Sequence, residues 1–157
     1  MKDLIIRRAK AQEVEIIQKL SNELVEYEME QGFDSYSKDW AMSDETKKYY
    51  LDLDENQYVA VAEVNKKIVA YIAGCIYNDS TYSYYEGLTA EAINLIVESE
   101  YRKYGIGTKL LNSFIEWSKS NNAKRVMLTA SYKNDKAINF YHKLGFEDIN
   151  LTLKKEL

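Results

Sequence analysis

The sequence predicts an α/β domain in which helices flank one central mixed sheet. Two observations predict this fold class. Apolar runs at 58–64 and 68–77, separated by three polar residues, indicate the antiparallel strands of a hairpin. Further along, runs at 92–97, 106–117 and 125–130 indicate a strand, an amphipathic helix and a strand, the pattern of a parallel pair joined by a right-handed crossover.

The first third of the chain predicts one strand and two helices. The β-branched run at 4–8 ends in two arginines and predicts the first strand. Apolar residues recur at three- and four-residue spacing from about 12 to 28, as on one face of a helix. The pattern breaks around Gly32, and Ser43, a favourable N-cap residue, predicts a second, shorter helix.

The end of the chain predicts one more helix and one more strand. The helix is expected from about 135 to 144, with Gly145 in the position of a C-cap glycine. Ile149, Leu151 and Leu153 alternate with polar neighbours and predict a final strand. The full predicted order is β-α-α-β-β-β-α-β-α-β.

Length and composition favour one domain, residues 1–157, in the cytoplasm. The charged fraction of 29% and the hydrophobic fraction of 46% are those of a globular protein. No apolar run approaches the roughly 20 residues that span a bilayer. The N-terminus lacks the apolar core of a signal peptide, so we expect no membrane partner.

Residue counts and charge exclude several kinds of site. Cys75 and His142 are the only residues of their types, which disfavours a disulfide, a thiol metal cluster, a zinc site and a histidine-based catalytic triad, so no metal is expected. The net charge of −4 disfavours nucleic acid as a partner. The segment 23–55 holds eleven acidic residues and three lysines, a local balance of −8 that suits a cationic partner or an ordinary solvated surface.

The stretch 102–108, Arg-Lys-Tyr-Gly-Ile-Gly-Thr, lies between the predicted central strand and the amphipathic helix. Gly105 and Gly107 let the backbone bend so that successive N–H groups converge on one anion. The first turn of the helix adds unpaired N–H donors and the positive end of its dipole. A phosphate group is the ligand that we expect this turn to bind. A Walker loop is excluded, and the dinucleotide fingerprint would need a glycine where Leu110 stands.

A second motif, Asn-x-x-Ala-x-x-Phe-Tyr-x-x-x-Gly-Phe, begins at Asn134 and ends at Phe146. Together with Arg-x-x-Gly-x-Gly after the central strand, it resembles the GCN5-related N-acetyltransferase (GNAT) superfamily. That superfamily carries the first motif as its acetyl-CoA motif after the fourth strand and the second in a later helix. The resemblance is specific from 92 to 146 and extends before that only to the order of elements. It implies the acyl-CoA N-acyltransferase fold.

The resemblance implies acetyl-CoA as the cofactor, with CoA as product. Backbone N–H groups from 103–108 would hold the pyrophosphate, and Asn134 would hydrogen-bond the cofactor arm. The fourth strand would pair with the pantetheine as an added strand does, and a β-bulge in it would leave a donor for the oxyanion. The implied cofactor-binding residues are Leu95, Ile96, Val97, Arg102, Lys103, Tyr104, Gly105, Ile106, Gly107, Thr108, Asn134 and Tyr141.

The resemblance also implies catalytic groups. Tyr141 matches the family tyrosine that protonates the departing thiolate, and its alternative role is packing on an amphipathic helix. The family's usual base, a glutamate on the fourth strand, aligns with Ile93. Glu91, two residues earlier on the same strand face, takes the base role in one interpretation and is a solvated charge in the other. Glu63, the acids of 23–55 and solvent are the remaining alternatives.

The implied activity is transfer of an acetyl group from acetyl-CoA to a primary amine by direct attack in a ternary complex. The acceptor would be a small cationic amine, an amino sugar or a peptide amine. The alternative is a CoA-binding sensor or partner module, which Ile93 in the base position favours and Tyr141 disfavours. Family members are often dimers, so a homodimer is a further expectation, with the tyrosine-rich stretch 78–88, a predicted loop or strand edge, as its contact surface.

Overall fold

The computed structural model describes residues 3–33, 38–51, 53–78, 86–155 and 157. The strands are β1 (Leu4–Arg8), β2 (Gln57–Val64), β3 (Lys67–Asn78), β4 (Leu88–Val97) and β5 (Arg125–Leu128). The helices are α1 (Val14–Glu30), α2 (Lys38–Ala41), α3 (Asp44–Leu51), α4 (Ile106–Ser120) and α5 (Asp135–His142). Short 3₁₀ turns, Ala11–Glu13 and Ser99–Tyr101, precede α1 and follow β4. No described helix combines the length and the apolar character needed to cross a bilayer.

The described strands form one sheet in the order β1-β2-β3-β4-β5. Neighbours are antiparallel except β4 and β5, which are parallel. Asn65 and Lys66 turn the β2–β3 hairpin with φ values of 49° and 66°. The mixed sheet, the hairpin and the parallel crossover predicted from the sequence are therefore confirmed.

Helices cover both faces of the sheet. On one face, α4 packs its buried side chains against alternate residues of β2, β3 and β4. On the opposite face, α1 and α3 cover the other set of alternate residues. The helix side chains that contribute most to these two cores are Ile106, Leu110, Leu111 and Phe114 on the α4 face and Val14, Ile17, Leu20 and Tyr50 on the α1/α3 face.

The start of α3 is fixed by its cap and by α1. Ser43 Oγ accepts a hydrogen bond from the Thr46 N–H at 3.1 Å, as the sequence predicts for an N-cap. Gln18 of α1, which is buried, donates its side-chain N–H to the Ser43 carbonyl at 3.0 Å. These bonds hold α3 over the sheet beside α1.

A β-bulge interrupts β4. Ala73 pairs with Asn94, but the next residue, Gly74, pairs with Ala92, so Ile93 is the extra residue. Gly74 is needed there because a Cβ would lie 2.6 Å from Cε2 of Phe114 and would also meet the Glu91 carbonyl. The bulge expected in the fourth strand is therefore present.

Some predicted bounds were wrong. The strand expected at 92–97 begins at Leu88, and the one expected at 125–130 ends at Leu128. The final strand is not formed: residues 146–155 are neither helix nor strand, because alternation shows which side chains share a face but supplies no neighbouring strand. Of the stretch 78–88, residues 79–85 lie outside the described residues.

Candidate active site

The turn after β4 bends through left-handed backbone. Lys103 has φ +67° and Gly105 has φ +77°, and α4 begins at the next residue. Glycine adopts this conformation without the steric cost that a Cβ imposes. Apart from Gly105 itself and the chain next to it, no described atom lies within 4 Å of the place where a Cβ of Gly105 would stand. Open space therefore lies beside this glycine.

The same turn leaves successive backbone N–H groups without a described acceptor. In the described part of the chain, no residue accepts a backbone hydrogen bond from the N–H groups of 103–108, whereas the Lys109 N–H donates to the Gly105 carbonyl at 3.1 Å. Unpaired donors at the positive end of a helix dipole form a ready site for an anionic group. The geometry fits the phosphate site predicted from the sequence.

Arg102 ties this turn to the rest of the protein. Its Nε donates to the Val97 carbonyl at 2.8 Å, and its guanidinium carbon lies 5.5 Å from the centroid of the Tyr27 ring. The sequence suggested only a positive charge beside the phosphate. The structure gives Arg102 a second role, in joining the turn to the end of β4 and to α1.

The edge of β4 next to the turn is open. The parallel pairing with β5 runs only from Thr89–Arg125 to Ala92–Leu128, while β4 continues to Val97. Residues 94–97, which include Leu95, Ile96 and Val97, therefore pair with β3 but have no described partner strand on the β5 side, and the bulge residue Ile93 has no pairing partner in β3 or β5. An extended ligand can pair with main-chain groups at such an edge.

The C-terminal end of α1 links the two sides of this opening. Tyr27 lies against Arg102 of the turn after β4, and the Gly32 carbonyl accepts a hydrogen bond from Lys133 Nζ at 3.0 Å. Lys133 belongs to the loop after β5. The sequence carries no signal for this link, because neither Gly32 nor Lys133 belongs to a motif and the two residues lie about one hundred positions apart.

Asn134 is the N-cap of α5. Its Oδ1 accepts a hydrogen bond from the Ala137 N–H at 3.1 Å. Its side-chain nitrogen Nδ2 makes no hydrogen bond with a described residue, so it keeps two N–H donors for a ligand. A capping role and the cofactor contact implied by the resemblance are therefore compatible.

Tyr141 packs in an aromatic cluster on the α4 face of the sheet. Its ring centroid lies 5.1 Å from that of Phe140 and 5.9 Å from that of Phe146. Burial, with a smaller contribution from the charge of Glu28, raises the pKa of Tyr141 to about 12. The phenol is therefore protonated throughout the neutral range.

Glu91 lies in β4, on the face covered by α1 and α3. It pairs with Cys75 of β3 on one side and with Met127 of β5 on the other, which places the three side chains in one row across the sheet. Tyr49 of α3 lies near this row: burial and the nearby charges of Cys75, Tyr50, Asp54 and Glu91 raise its pKa to about 12. Burial, then Glu91 and Asp54, also raises the pKa of the Cys75 thiol.

The other two positions considered for the base, Ile93 and Glu63, have different surroundings. Ile93, 38% exposed, is the bulge residue. Glu63 accepts hydrogen bonds from Arg7 Nε at 3.1 Å and Arg7 Nη2 at 2.7 Å, in a cluster that also holds Glu13. These bonds engage Glu63 in an ion pair and favour a structural role for it.

Sequence reasoning missed two side chains beside these candidates. Tyr49 belongs to no motif, and its position over the Glu91 row depends on how α3 packs on the sheet. Asn94 lies at the bulge and donates from Nδ2 to the Tyr50 hydroxyl at 3.5 Å. A bulge leaves no clear mark in an apolar run such as Ala92–Val97, so Asn94 carried no signal beyond being a polar residue in that run.

Two curated relatives match much of the chain. A protein of Methanocaldococcus jannaschii named as an uncharacterised N-acetyltransferase is 36% identical over 120 residues, 74% of this chain and 51% of that protein. An N-alpha-acetyltransferase of Sulfurisphaera tokodaii is 35% identical over 95 residues, 58% of this chain and 57% of that protein. The chain thus spans about half the length of these relatives.

Solved structures share the fold. A tetramutant of a Bacillus halodurans protein has a TM-score of 0.82 at 23% identity, covering 98% of this chain and 99% of that one. An aminoglycoside N-acetyltransferase in complex with CoA has a TM-score of 0.78 at 14% identity, and the match covers 98% of this chain and 94% of that one. A predicted acetyltransferase of Clostridium acetobutylicum with acetyl-CoA has a TM-score of 0.75 at 21% identity, and the match covers 98% of this chain and 96% of that one.

The sequence itself identifies the family. The model of the family described as "Acetyltransferase (GNAT) family" matches residues 18–146, which is most of the chain and includes both motifs. The solved structures with the same fold include acetyltransferases bound to CoA or acetyl-CoA. The chain therefore belongs to the GNAT family of acetyltransferases.

Proposed function

We propose that this protein is an N-acetyltransferase that moves the acetyl group of acetyl-CoA to a primary amine by direct attack in a ternary complex. The observation that carries the proposal is the set of unpaired N–H groups at 103–108 beside the open edge of β4. A turn that binds the pyrophosphate and an edge that pairs with the pantetheine would hold the thioester in one orientation. Such fixation of the reactants removes a large entropic barrier.

The reaction forms a C–N bond and breaks a C–S bond. The amine nitrogen attacks the thioester carbonyl carbon, and the oxyanion of the tetrahedral intermediate accepts a hydrogen bond from the backbone at the β4 bulge. When the intermediate collapses, CoA leaves as a thiolate and acquires a proton. The acceptor nitrogen loses two protons in all: the ammonium gives one to the base or to solvent before attack, and the tetrahedral intermediate loses the second. The thiolate takes up one proton, so one proton is released to solvent in each turnover.

Tyr141 supports the departure of the thiolate. An ordinary thiol has a pKa of about 8.5, so complete proton transfer from a phenol whose pKa is about 12 is unfavourable. We therefore assign Tyr141 mainly as a hydrogen-bond donor to the sulfur, which stabilises negative charge as the C–S bond lengthens. This role needs only the protonated phenol.

Glu91 is the proposed general base. An alkyl ammonium with a pKa of about 10.4 must lose a proton before it can attack. A carboxylate in β4, half-buried and two residues before the bulge residue Ile93, can accept that proton directly or through water. The competing proposal is proton loss to solvent, in which case Glu91 only attracts the cation.

The acceptor is proposed to be a cationic amine: a small amine, an amino sugar or a peptide amine. Helices α1 and α3 cover the sheet face that carries Glu91, and the C-terminal part of α1 and all of α3 belong to the acidic segment 23–55. Asp54 adds a further carboxylate near Tyr49 and Cys75. This negative surface would concentrate cationic acceptors near the thioester.

An acceptor screen tests the proposal. The protein is incubated with acetyl-CoA and a panel of polyamines, aminoglycosides and peptides, and acetylated products are detected by mass spectrometry alongside release of free CoA thiol. We expect at least one cationic amine to be acetylated in step with thiol release. Binding of CoA, seen as a thermal shift, with no acceptor turning over would refute the enzyme proposal.

A second candidate function is a CoA-binding sensor or partner module with little turnover. Ile93, an apolar side chain in the bulge where the family resemblance implies a glutamate, favours it. Replacing Ile93 by Glu distinguishes the two, because a module that lacks only its base should gain activity while an enzyme that uses Glu91 should change little. The single domain and the cytoplasmic location stay predictions.

A further inference from the structure

The C-terminal end of α1 spans the gap between β4 and the loop after β5. On the β4 side, the Tyr27 ring lies against the guanidinium of Arg102. On the other side, the Gly32 carbonyl accepts a hydrogen bond from Lys133 Nζ at 3.0 Å. Glu28 lies between these two contacts, in the last turn of α1. Its position is therefore fixed relative to both sides of the gap.

The Glu28 side chain lies on the sheet-facing side of α1. Ser21 and Val25 are buried, and Glu28 follows them by seven and three residues, which is the spacing of one helix face. Glu28 is half-buried, whereas Glu26 and Glu30 on either side of it are exposed. Of these three carboxylates, Glu28 is therefore the one nearest the interior.

Glu28 and Tyr141 approach the gap from opposite faces of the sheet. Helix α1 covers one face, and Tyr141 packs against the core of the other. Burial, and then the charge of Glu28, raises the pKa of Tyr141 to about 12. This charge acts through space, because among the described residues no hydrogen bond joins Tyr141 to Glu28. The thioester site beside Tyr141 thus has a carboxylate across the gap from the proposed leaving-group donor.

A carboxylate at this place suits a cationic group that does not itself react. Glu91, on the same side of the sheet, is already proposed to take the proton of the attacking amine. A carboxylate accepts about four hydrogen bonds, so Glu28 can bind an ammonium in addition to its contacts within the chain. An ammonium bound there keeps its protons and stays charged throughout the reaction. It would hold the rest of the acceptor in one orientation.

We propose that Glu28 binds a second cationic group of the acceptor, so that the preferred substrates carry at least two amino groups, of which one reacts. This inference rests on the proposed N-acetyltransferase activity and narrows its acceptor class. The transfer itself is unchanged: the C–N bond forms at one amine while the C–S bond of acetyl-CoA breaks. The group at Glu28 forms no covalent bond.

Paired acceptors test the contact. Each acceptor that the screen identifies is compared with the analogue in which hydroxyls replace all amino groups except the one that reacts; diaminobutane and aminobutanol are the simplest pair. Wild type should prefer the polyamino compound by about tenfold or more in kcat/KM. The preference should lie mainly in KM, because a group remote from the reacting bond binds the ground state and the transition state alike.

Glu28→Gln should lose this preference while its affinity for CoA, measured by titration calorimetry, stays that of wild type. Glu28→Asp, which keeps the carboxylate, should retain part of it. Glu30→Gln is the matched control: it removes the same charge from the same helical turn at an exposed side chain and should keep the full preference.

Three results would overturn the assignment of Glu28: an unchanged preference in Glu28→Gln, an equal loss in Glu30→Gln, or a best acceptor with a single amino group. In each of these cases the protein still acetylates an amine, so the proposed enzyme activity stands. If wild type acetylates no acceptor, the enzyme proposal is refuted together with this inference.

Discussion

The Tyr141 hydroxyl offers the most direct test at the scale of single residues. We expect Tyr141→Phe to lower kcat by about a hundredfold, the low end for a lost acid–base group, with little change in KM for acetyl-CoA. Because burial raises the pKa of Tyr141 to about 12, the hydroxyl stays protonated at pH 7 and at pH 9, and the loss should be equal at both. Steady-state kinetics on the best acceptor measure this. Tyr132→Phe, at a residue 78% exposed, should have wild-type rates, and an unchanged kcat in Tyr141→Phe would assign Tyr141 to packing alone.

Gly105 tests the phosphate site. We expect Gly105→Val to lose CoA binding, because its side chain would fill the space beside the unpaired N–H groups. Gly32→Val is the matched control: Gly32 also has a left-handed φ, +67°, so backbone strain is similar in the two variants, and beyond its chain neighbours no atom of the described residues lies within 4 Å of its Cβ position. Titration calorimetry with CoA gives the affinities, and urea unfolding checks the fold. Equal CoA affinity in the two variants would show that this turn does not bind the pyrophosphate.

The residue types predicted where the turn lies, but they did not predict the hydrogen bonds that its side chains and those near it make within the protein. Glycine spacing states that the backbone can bend, so Gly105 was found from the sequence. The bonds from Arg102 to Val97 and from Asn134 to the start of α5 depend on how the chain returns on itself locally. Whether these residues also contact the cofactor stays a prediction.

At the scale of elements, a buried hydroxyl network lies beside the β4 bulge. The Tyr50 hydroxyl lies 3.3 Å from that of Tyr71, which is fully buried, and 3.5 Å from Asn94 Nδ2 at the bulge. Tyr50→Phe removes the central member of this network and leaves the Tyr71 hydroxyl with one partner fewer. We expect the free energy of unfolding to fall by about 1–2 kcal/mol, and kcat to fall with it if the bulge positions the oxyanion donor as proposed.

Chemical denaturation and kinetics of the same preparation measure both effects. Tyr104→Phe, which changes an exposed hydroxyl, should leave the stability unchanged. If Tyr50→Phe lowers stability but keeps the wild-type kcat, the network supports the core and does not position the bulge.

Secondary-structure elements were predicted correctly where a local sequence pattern determines them. The predictions were wrong or incomplete where the structure depends on a neighbouring strand. The helix α4 follows from its apolar face, and the β2–β3 hairpin from two runs and a short turn. The alternation at Ile149, Leu151 and Leu153 is equally regular, but no strand lies beside it within the described chain. The bulge at Ile93 needs knowledge of the β3 register, which a single run of sequence does not contain.

At the scale of the whole molecule, an ion cluster connects β1, β2 and the start of α1. Arg7 Nη2 lies 2.7 Å from Glu13 Oε1 and 2.7 Å from Glu63 Oε2. The hydrogen bond from Arg7 holds the pKa of Glu13 below its ordinary value of 4.5. A lowered folded-state pKa means that this stabilisation is present above pH 4.5 and is lost as the pH falls through the folded-state pKa.

We expect Glu13→Gln to lower the free energy of unfolding at pH 7 by about 1–3 kcal/mol, because it removes charge-assisted hydrogen bonds from a side chain only 12% exposed. The variant should also lose less stability than wild type between pH 6 and pH 3. Urea unfolding across that range is the measurement. Glu15→Gln, at a side chain 75% exposed, should change stability by less than about 1 kcal/mol. A pH dependence in Glu13→Gln equal to that of wild type would show that Glu13 does not titrate as described.

The early end of β5 has a mechanical consequence. Only four residue pairs join β5 to β4, so the part of the chain that carries Asn134 and Tyr141 is held to the sheet along a short seam. Opening of that seam should need less free energy than opening of the long β2–β3 hairpin, and amide hydrogens of 125–142 should exchange faster in the free protein. A ligand that spans the gap would bind both sides, so CoA should slow exchange there more than elsewhere. The cofactor would then act as the missing structural link between the two halves of its own site.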